Sequence, residues 1–86
     1  MTQIRTSSGF ACEIDPVVLD DMEALDLAVR IDREDALAYP PFLEKIMGAE
    51  NKAALYNHLR EPDGRVPIAK VGAEISEILD QLGGKK

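Results

Sequence analysis

The stretch LYNHLREPDGRVP, Leu55 to Pro67, constrains the fold more than any other, because it holds the clearest stop signal and the clearest start signal in the chain. Leu55, Tyr56 and Leu59 fall at i, i+1 and i+4, within one apolar stripe of a helix. Pro62 disfavours helical geometry at Glu61 and has no N–H to give, while Asp63 and Gly64 supply side-chain-to-backbone bonding and positive φ. The chain therefore reverses just after Arg60. Pro67 suits the first turn of a new helix, where its missing N–H is not needed and its φ is already near helical. The stretch predicts a helix, a tight polar turn and a second helix antiparallel or steeply crossed to the first.

A chain of 86 residues sustains one domain, 1–86, and must stabilise it with one small core. Its single cysteine, Cys12, excludes an internal disulfide, and one histidine beside it leaves no cluster for a structural zinc. Packing or oligomerisation has to hold the fold. No run approaches the apolar length of a membrane span, and no signal segment opens the chain, so the expectation is a soluble, cytoplasmic protein with no membrane partner. The net charge of −6 is uneven: from Glu13 to Asp35 nine acids face only Arg30 and Arg33, a local −7. Such a face argues against nucleic acid, whose phosphates need bases, and reads either as a solvated helix surface or as an acidic docking surface.

Taken in order, residues 3–14 predict a β-hairpin. Ile4 and Thr6 alternate on one arm, Phe10, Cys12 and Ile14 on the other, with Ser7, Ser8 and Gly9 as the turn. A lone hairpin is marginal in water, so its apolar face must lie on helices or its edge must pair with another chain. Asp15–Pro16 predicts a short helical turn over Pro16–Leu19, followed by a helix over about 21–33. That helix carries two apolar stripes, Val18, Met22, Leu25 and Val29 on one side and Ala24, Leu27 and Ile31 nearly opposite. One of them needs cover from elsewhere. Tyr39, Phe42, Leu43, Ile46 and Met47 form the stripe of a helix over 40–47, begun by Pro40 and Pro41 and ended by Gly48. Helices over about 49–60 and 67–82 follow. In the last, Ile68, Val71, Ile75, Ile78, Leu79 and Leu82 make a narrow seam, with Lys70, Glu74, Glu77 and Asp80 on the polar side. Gly72 marks a close backbone approach, and Gly83, Gly84, Lys85 and Lys86 read as a glycine cap with a basic tail. The fold class expected is mainly α, a small domain of three to four helices with an N-terminal β-hairpin.

There is no phosphate-binding glycine loop, no metal motif, and no nucleophile that His58 would activate in a recognisable pattern. No catalytic residue, cofactor or metal is assigned. From residue chemistry alone the chain reads as a small acidic helical domain that binds a partner the sequence does not name.

The segments ACEIDPVVLDDMEALDLA, AYPPFLEKIMG and LYNHLREPDGRVPIAKVGAEISEILDQLGGKK give that reading a direction. Together they resemble the short tail assembly chaperones of siphophages and prophages. That family is similar in an extended start ending in an acid-Val-Leu-Asp-Asp segment, a proline-led helix and a HLRDEDGRVP-like turn, where Pro62 here replaces a commoner acid. The resemblance implies a non-enzymatic protein of the bacterial host cytoplasm, absent from the finished virion. Its partner would be the apolar, helical tape measure protein, kept soluble until major tail protein polymerises around it. It also implies a longer companion form made by ribosomal slippage near Gly83, Gly84 and Lys85. The residues expected to meet the tape measure protein are Ala24, Leu27 and Ile31, then Tyr39 and Phe42. A homo-oligomer through the hairpin edge or the Ala24, Leu27, Ile31 stripe is a further expectation. The competing class is a small acidic inhibitor that mimics nucleic-acid charge, for which the acids would have to form a continuous exposed stripe.

Overall fold

The computed structural model, which describes residues 1–84, is 66% helical, with three helices and an antiparallel two-stranded hairpin. The expected fold class is the one observed. Strand β1 is Thr2–Arg5 and β2 is Ala11–Ile14, in a register that sets Ile4 opposite Cys12 and Arg5 opposite Ala11. Thr6 N–H donates to Phe10 O at 2.9 Å and Gly9 N–H to Thr6 O at 3.0 Å, with Gly9 at φ 98°. This is the three-residue hairpin loop in which a left-handed third residue restores the strand twist, so Ser7, Ser8 and Gly9 are the turn as expected.

Asp15 caps a 3-10 turn over Pro16–Leu19, its side chain accepting from Val17 N–H. Helix α1 is Met22–Asp32, and its N-cap Asp21 accepts from Glu23 and Ala24 N–H. Those bonds, that to Glu23 first, hold the Asp21 carboxyl below its usual range, with Lys45 adding to the effect. Helix α2 runs Tyr39–Leu59 but is broken at Gly48, whose φ 82° and ψ 162° lie in a region open essentially to glycine. The expected helices over 40–47 and 49–60 are its two arms. The reversal at 61–66 is tied by Gly64 N–H to Glu61 O and Glu61 N–H to Arg65 O, and the Asp63 carboxylate accepts from Arg65 N–H and Nε. Pro67 then stands just before helix α3, Ile68–Leu79, which closes in a π-type turn over Asp80–Gly84. Lys85 and Lys86, expected as a basic tail, lie outside the described residues.

The core gathers one face from each element: Ile4, Phe10 and Ile14 of the hairpin, Phe42, Leu43, Ile46, Leu55 and Leu59 of α2, and Val71, Ile75 and Ile78 of α3. Two side chains lash the hairpin to α3. The Gln81 amide accepts from Arg5 N–H at 2.9 Å and donates to Arg5 O at 2.7 Å, standing in for a neighbouring strand. Glu77 accepts from Ser7 Oγ–H and Ser7 N–H, both at 2.7 Å. Those bonds hold the Glu77 carboxyl below its usual range, the hydroxyl's contribution being the larger.

Three sequence expectations need correction. Glu74 is 3% exposed rather than on the polar side of α3, and Ile68 is 66% exposed rather than in the buried seam. The third concerns α1, whose Ala24, Leu27 and Ile31 stripe faces the protein while Met22, Leu25 and Val29 face out. Ala24, Leu25 and Ala28 of α1 line a depression of about 290 Å³ with Leu19, Phe42 and Leu79. The bulkier stripe is left outside.

Gly72 does mark a close approach. A Cβ there would lie 2.7 Å from Tyr39 Oη and 3.2 Å from Cζ. Helical propensity favours alanine at this position by about 1 kcal/mol, whereas overpacking costs roughly 1–3 kcal/mol. Gly72→Ala is therefore expected to destabilise the protein in urea titrations, and to stabilise it by about 1 kcal/mol in a Tyr39→Leu background. Equal effects in the two backgrounds would contradict the contact.

Candidate functional site

Among the open surface features is an apolar groove of about 330 Å³, lined by Ala36, Leu37, Tyr39, Pro40, Tyr56, Val66, Ile68 and Val71. Three segments meet there. The first is the connection from α1 to α2. Glu34 N–H donates to Ile31 O and Asp35 N–H to Arg30 O, with Glu34 at φ 65°, the pattern of a left-handed helix ending carried by a non-glycine residue. Asp35 then caps the 3-10 turn Ala36–Ala38 by accepting from Leu37 N–H at 3.1 Å, and its carboxylate pairs with Arg30 Nε at 2.9 Å. This turn buries Ala38 completely and leaves Leu37 80% exposed. A large apolar side chain is thus held out by a well-bonded turn.

The second segment is the pair of α2 arms, which bring Tyr39 and Pro40 from one and Tyr56 from the other. Lys52 sits 6.0 Å above the Tyr56 ring while its ammonium donates to Glu44 at 2.7 Å. That bond raises the affinity of the Lys52 amine for its proton, so the charge at the groove's border persists. The third segment is the start of α3, where Val66 and Ile68 follow the polar turn. Ile68 occupies the first turn of α3, on the same helix face as Val71, and is exposed there.

Of the five contact residues expected from sequence, the groove includes Tyr39 alone. Phe42 is fully buried in the core, Ala24 is 1% exposed, and Leu27 and Ile31 are half-buried against the core. They are packing residues of this chain. Leu37 and Ile68 escaped the sequence reading for different reasons. Leu37 belongs to no periodic stripe, and Ile68 fits the α3 seam by spacing, so only its exposure reveals it. A lone large apolar residue behind an Asp cap was the one available signal.

A second cleft of about 460 Å³ lies between the hairpin tip and α3, lined among others by Ser7, His58, Lys70, Glu74 and Glu77. His58 Nε2 lies 3.0 Å from Ser8 O and its ring tilts against Phe10 at 5.8 Å, so the histidine pins the hairpin turn to α2. The Ser7 hydroxyl is committed to Glu77. Glu74 Oε1 is buried without a hydrogen-bond partner among the described residues. No group of three or more metal-ligating side chains occurs among the described residues, and no helix there is long and apolar enough to cross a membrane. Cys12, half-buried under the hairpin, has its thiol pKa raised by burial, which disfavours the thiolate form.

Set against models of known families, curated proteins and solved structures, the chain matches none of them. The family resemblance rests on the segments quoted above.

The inside–outside assignment is open to direct measurement. Leu37→Ser and Ile68→Ser are expected to change the unfolding free energy by less than about 0.5 kcal/mol, as surface substitutions do. Phe42→Ala is expected to cost about 3–5 kcal/mol, and Leu27→Asp more than about 1 kcal/mol. Denaturant titration of the four variants distinguishes the two groups; a large loss at Leu37 or a negligible one at Phe42 would reverse the assignment.

Proposed function

We propose that this protein is a non-enzymatic assembly chaperone of the phage-tail type, which holds an apolar helical segment of a tape measure protein in the groove beside Leu37 and Ile68. The observation that carries the reading is the groove itself: an exposed apolar trough on a small domain that carries six net negative charges. An amphipathic helix laid into such a trough buries side chains at helical spacing against it, which is a recurrent mode of peptide recognition. The surrounding acidic charge keeps the complex soluble.

Burying two or three large apolar side chains at about 25 cal/mol per Å² amounts to a few kcal/mol per site. One copy therefore binds weakly. Weak contacts repeated along a long apolar helix coat it while leaving each copy displaceable, which suits release as major tail protein polymerises. In this reading the protein acts in the cytoplasm of the bacterial host and leaves before the tail is complete. Tyr39, kept from the sequence-based candidates, and Leu37, Tyr56, Val66 and Ile68 are the contact residues.

A charge mimic of nucleic acid fits the acids less well. Asp21 and Glu23 share Lys45, at 3.3 and 2.8 Å, and Asp35 is paired with Arg30, so cations interrupt the acidic face.

Co-expression with a tape measure protein tests the proposal. The wild-type chain is expected to keep the tape measure protein in the soluble fraction, and Leu37→Asp and Ile68→Asp to lose that effect while retaining the wild-type far-UV spectrum. Solubilisation undiminished in both variants would overturn the groove's role, and none by the wild type would overturn the function.

A further inference from the structure

The two edges of the hairpin are treated differently. On β1 the outward-facing backbone groups of Arg5 are taken by the Gln81 amide, and Ser7 N–H is taken by Glu77. That edge is blocked at Arg5 by α3 and its closing turn, while the outward groups of Gln3 make no hydrogen bond among the described residues. On β2 the register turns Phe10, Cys12 and Ile14 toward β1 for backbone pairing and leaves the N–H and C=O groups of Ala11 and Glu13 pointing away from the sheet. Both residues are exposed, and no hydrogen bond to their outward groups is made among the described residues. An unpaired edge of this kind is a template for another strand.

We propose that the β2 edge is a homodimer interface, in which two copies join their β2 strands antiparallel about a twofold axis into one four-stranded sheet. The register follows from hydrogen bonding and charge. Placing Ala11 opposite Glu13 of the second copy, and Glu13 opposite its Ala11, satisfies all four outward groups on each strand. A shift that sets the two Glu13 residues face to face opposes like charges, which is unfavourable, and a shift that pairs the two Ala11 residues wastes the Glu13 groups. In the favoured register the row on the outer face reads Gln3, Glu13, then Ala11 and Arg5 of the second copy, because Arg5 pairs with Ala11 and Gln3 with Glu13 within each hairpin. Alanine is small enough for the long side chains of Glu13 and the second copy's Arg5 to meet across it. Symmetry repeats the pair. Within one chain, Arg5 and Glu13 form no ion pair among the described residues, so both are available. The edge is thus complementary to itself in backbone polarity and in charge, and this inference is independent of what occupies the groove.

Sedimentation equilibrium combined with amide hydrogen exchange on the full chain tests the proposal. The expected result is a weak dimer in which the Ala11 and Glu13 amides become protected as concentration rises, with association falling at high salt. Glu13→Arg, which turns both attractions into repulsions, is expected to weaken the dimer about tenfold or more, and the double exchange Arg5→Glu with Glu13→Arg to restore it. A strict monomer at the concentrations used for exchange, a dimer whose Ala11 and Glu13 amides stay unprotected, or one indifferent to Glu13→Arg overturns it. So does protection that arises only when an extended segment of another protein is added.

Discussion

A two-stranded hairpin cannot stand alone in water, and the organisation of this protein follows from covering its one apolar face. Ile4, Phe10 and Ile14 reach the core only because α2 and α3 pack together beneath them. The hairpin is then secured at its margins by polar contacts that reach across most of the chain, Gln81 to Arg5 and Glu77 to Ser7. Each of these bonds is exposed and individually modest. Their effect is positional: they hold β1 against α3 and its closing turn and block that edge at Arg5, whereas both outward residues of β2 stay open.

The same economy leaves apolar surface elsewhere. A domain this small has too little interior to enclose every large side chain its helices carry. α1 turns its Ala24, Leu27 and Ile31 stripe inward and leaves Met22, Leu25 and Val29 out, while the turn before α2 and the first turn of α3 leave Leu37 and Ile68 out. Scattered exposed hydrophobics are ordinary in proteins, but Leu37 and Ile68 border one trough with Tyr39, Tyr56 and Val66. The groove's border is also anchored by bonds that cost little to maintain, the Asp35 cap and the Lys52–Glu44 pair.

Features legible in the sequence were those set by neighbours along the chain. The hairpin and its Gly9 turn, the two-proline start of α2, the break at Gly48 and the polar reversal before Pro67 all follow from local stereochemistry. The seam of α3 and its approach to another element at Gly72 followed from periodicity. What could not be read depends on which surface a helix meets. The two stripes of α1 are alike in hydropathy, and only the burial of Ala24, Leu27 and Ile31 in the folded chain distinguishes them. Glu74 lies three positions after Val71 and four before Ile78, so spacing sets it beside the seam and only its charge argued for the outside. Glu34 adopts a left-handed backbone without being glycine, which hid the helix ending that sets up Leu37. The candidate site moved accordingly from α1 and Phe42 to the groove, with Tyr39 as the residue in common.

The central claim is that this groove receives an apolar helix. Titrating the isotope-labelled protein with a synthetic amphipathic helix from a tape measure protein, and following backbone and methyl resonances, tests it most directly. The account predicts saturable shifts concentrated at Leu37, Tyr39, Tyr56, Val66 and Ile68, with Met22, Leu25 and Val29 unmoved. Shifts centred on that α1 face, or no saturable change at any residue, would contradict it.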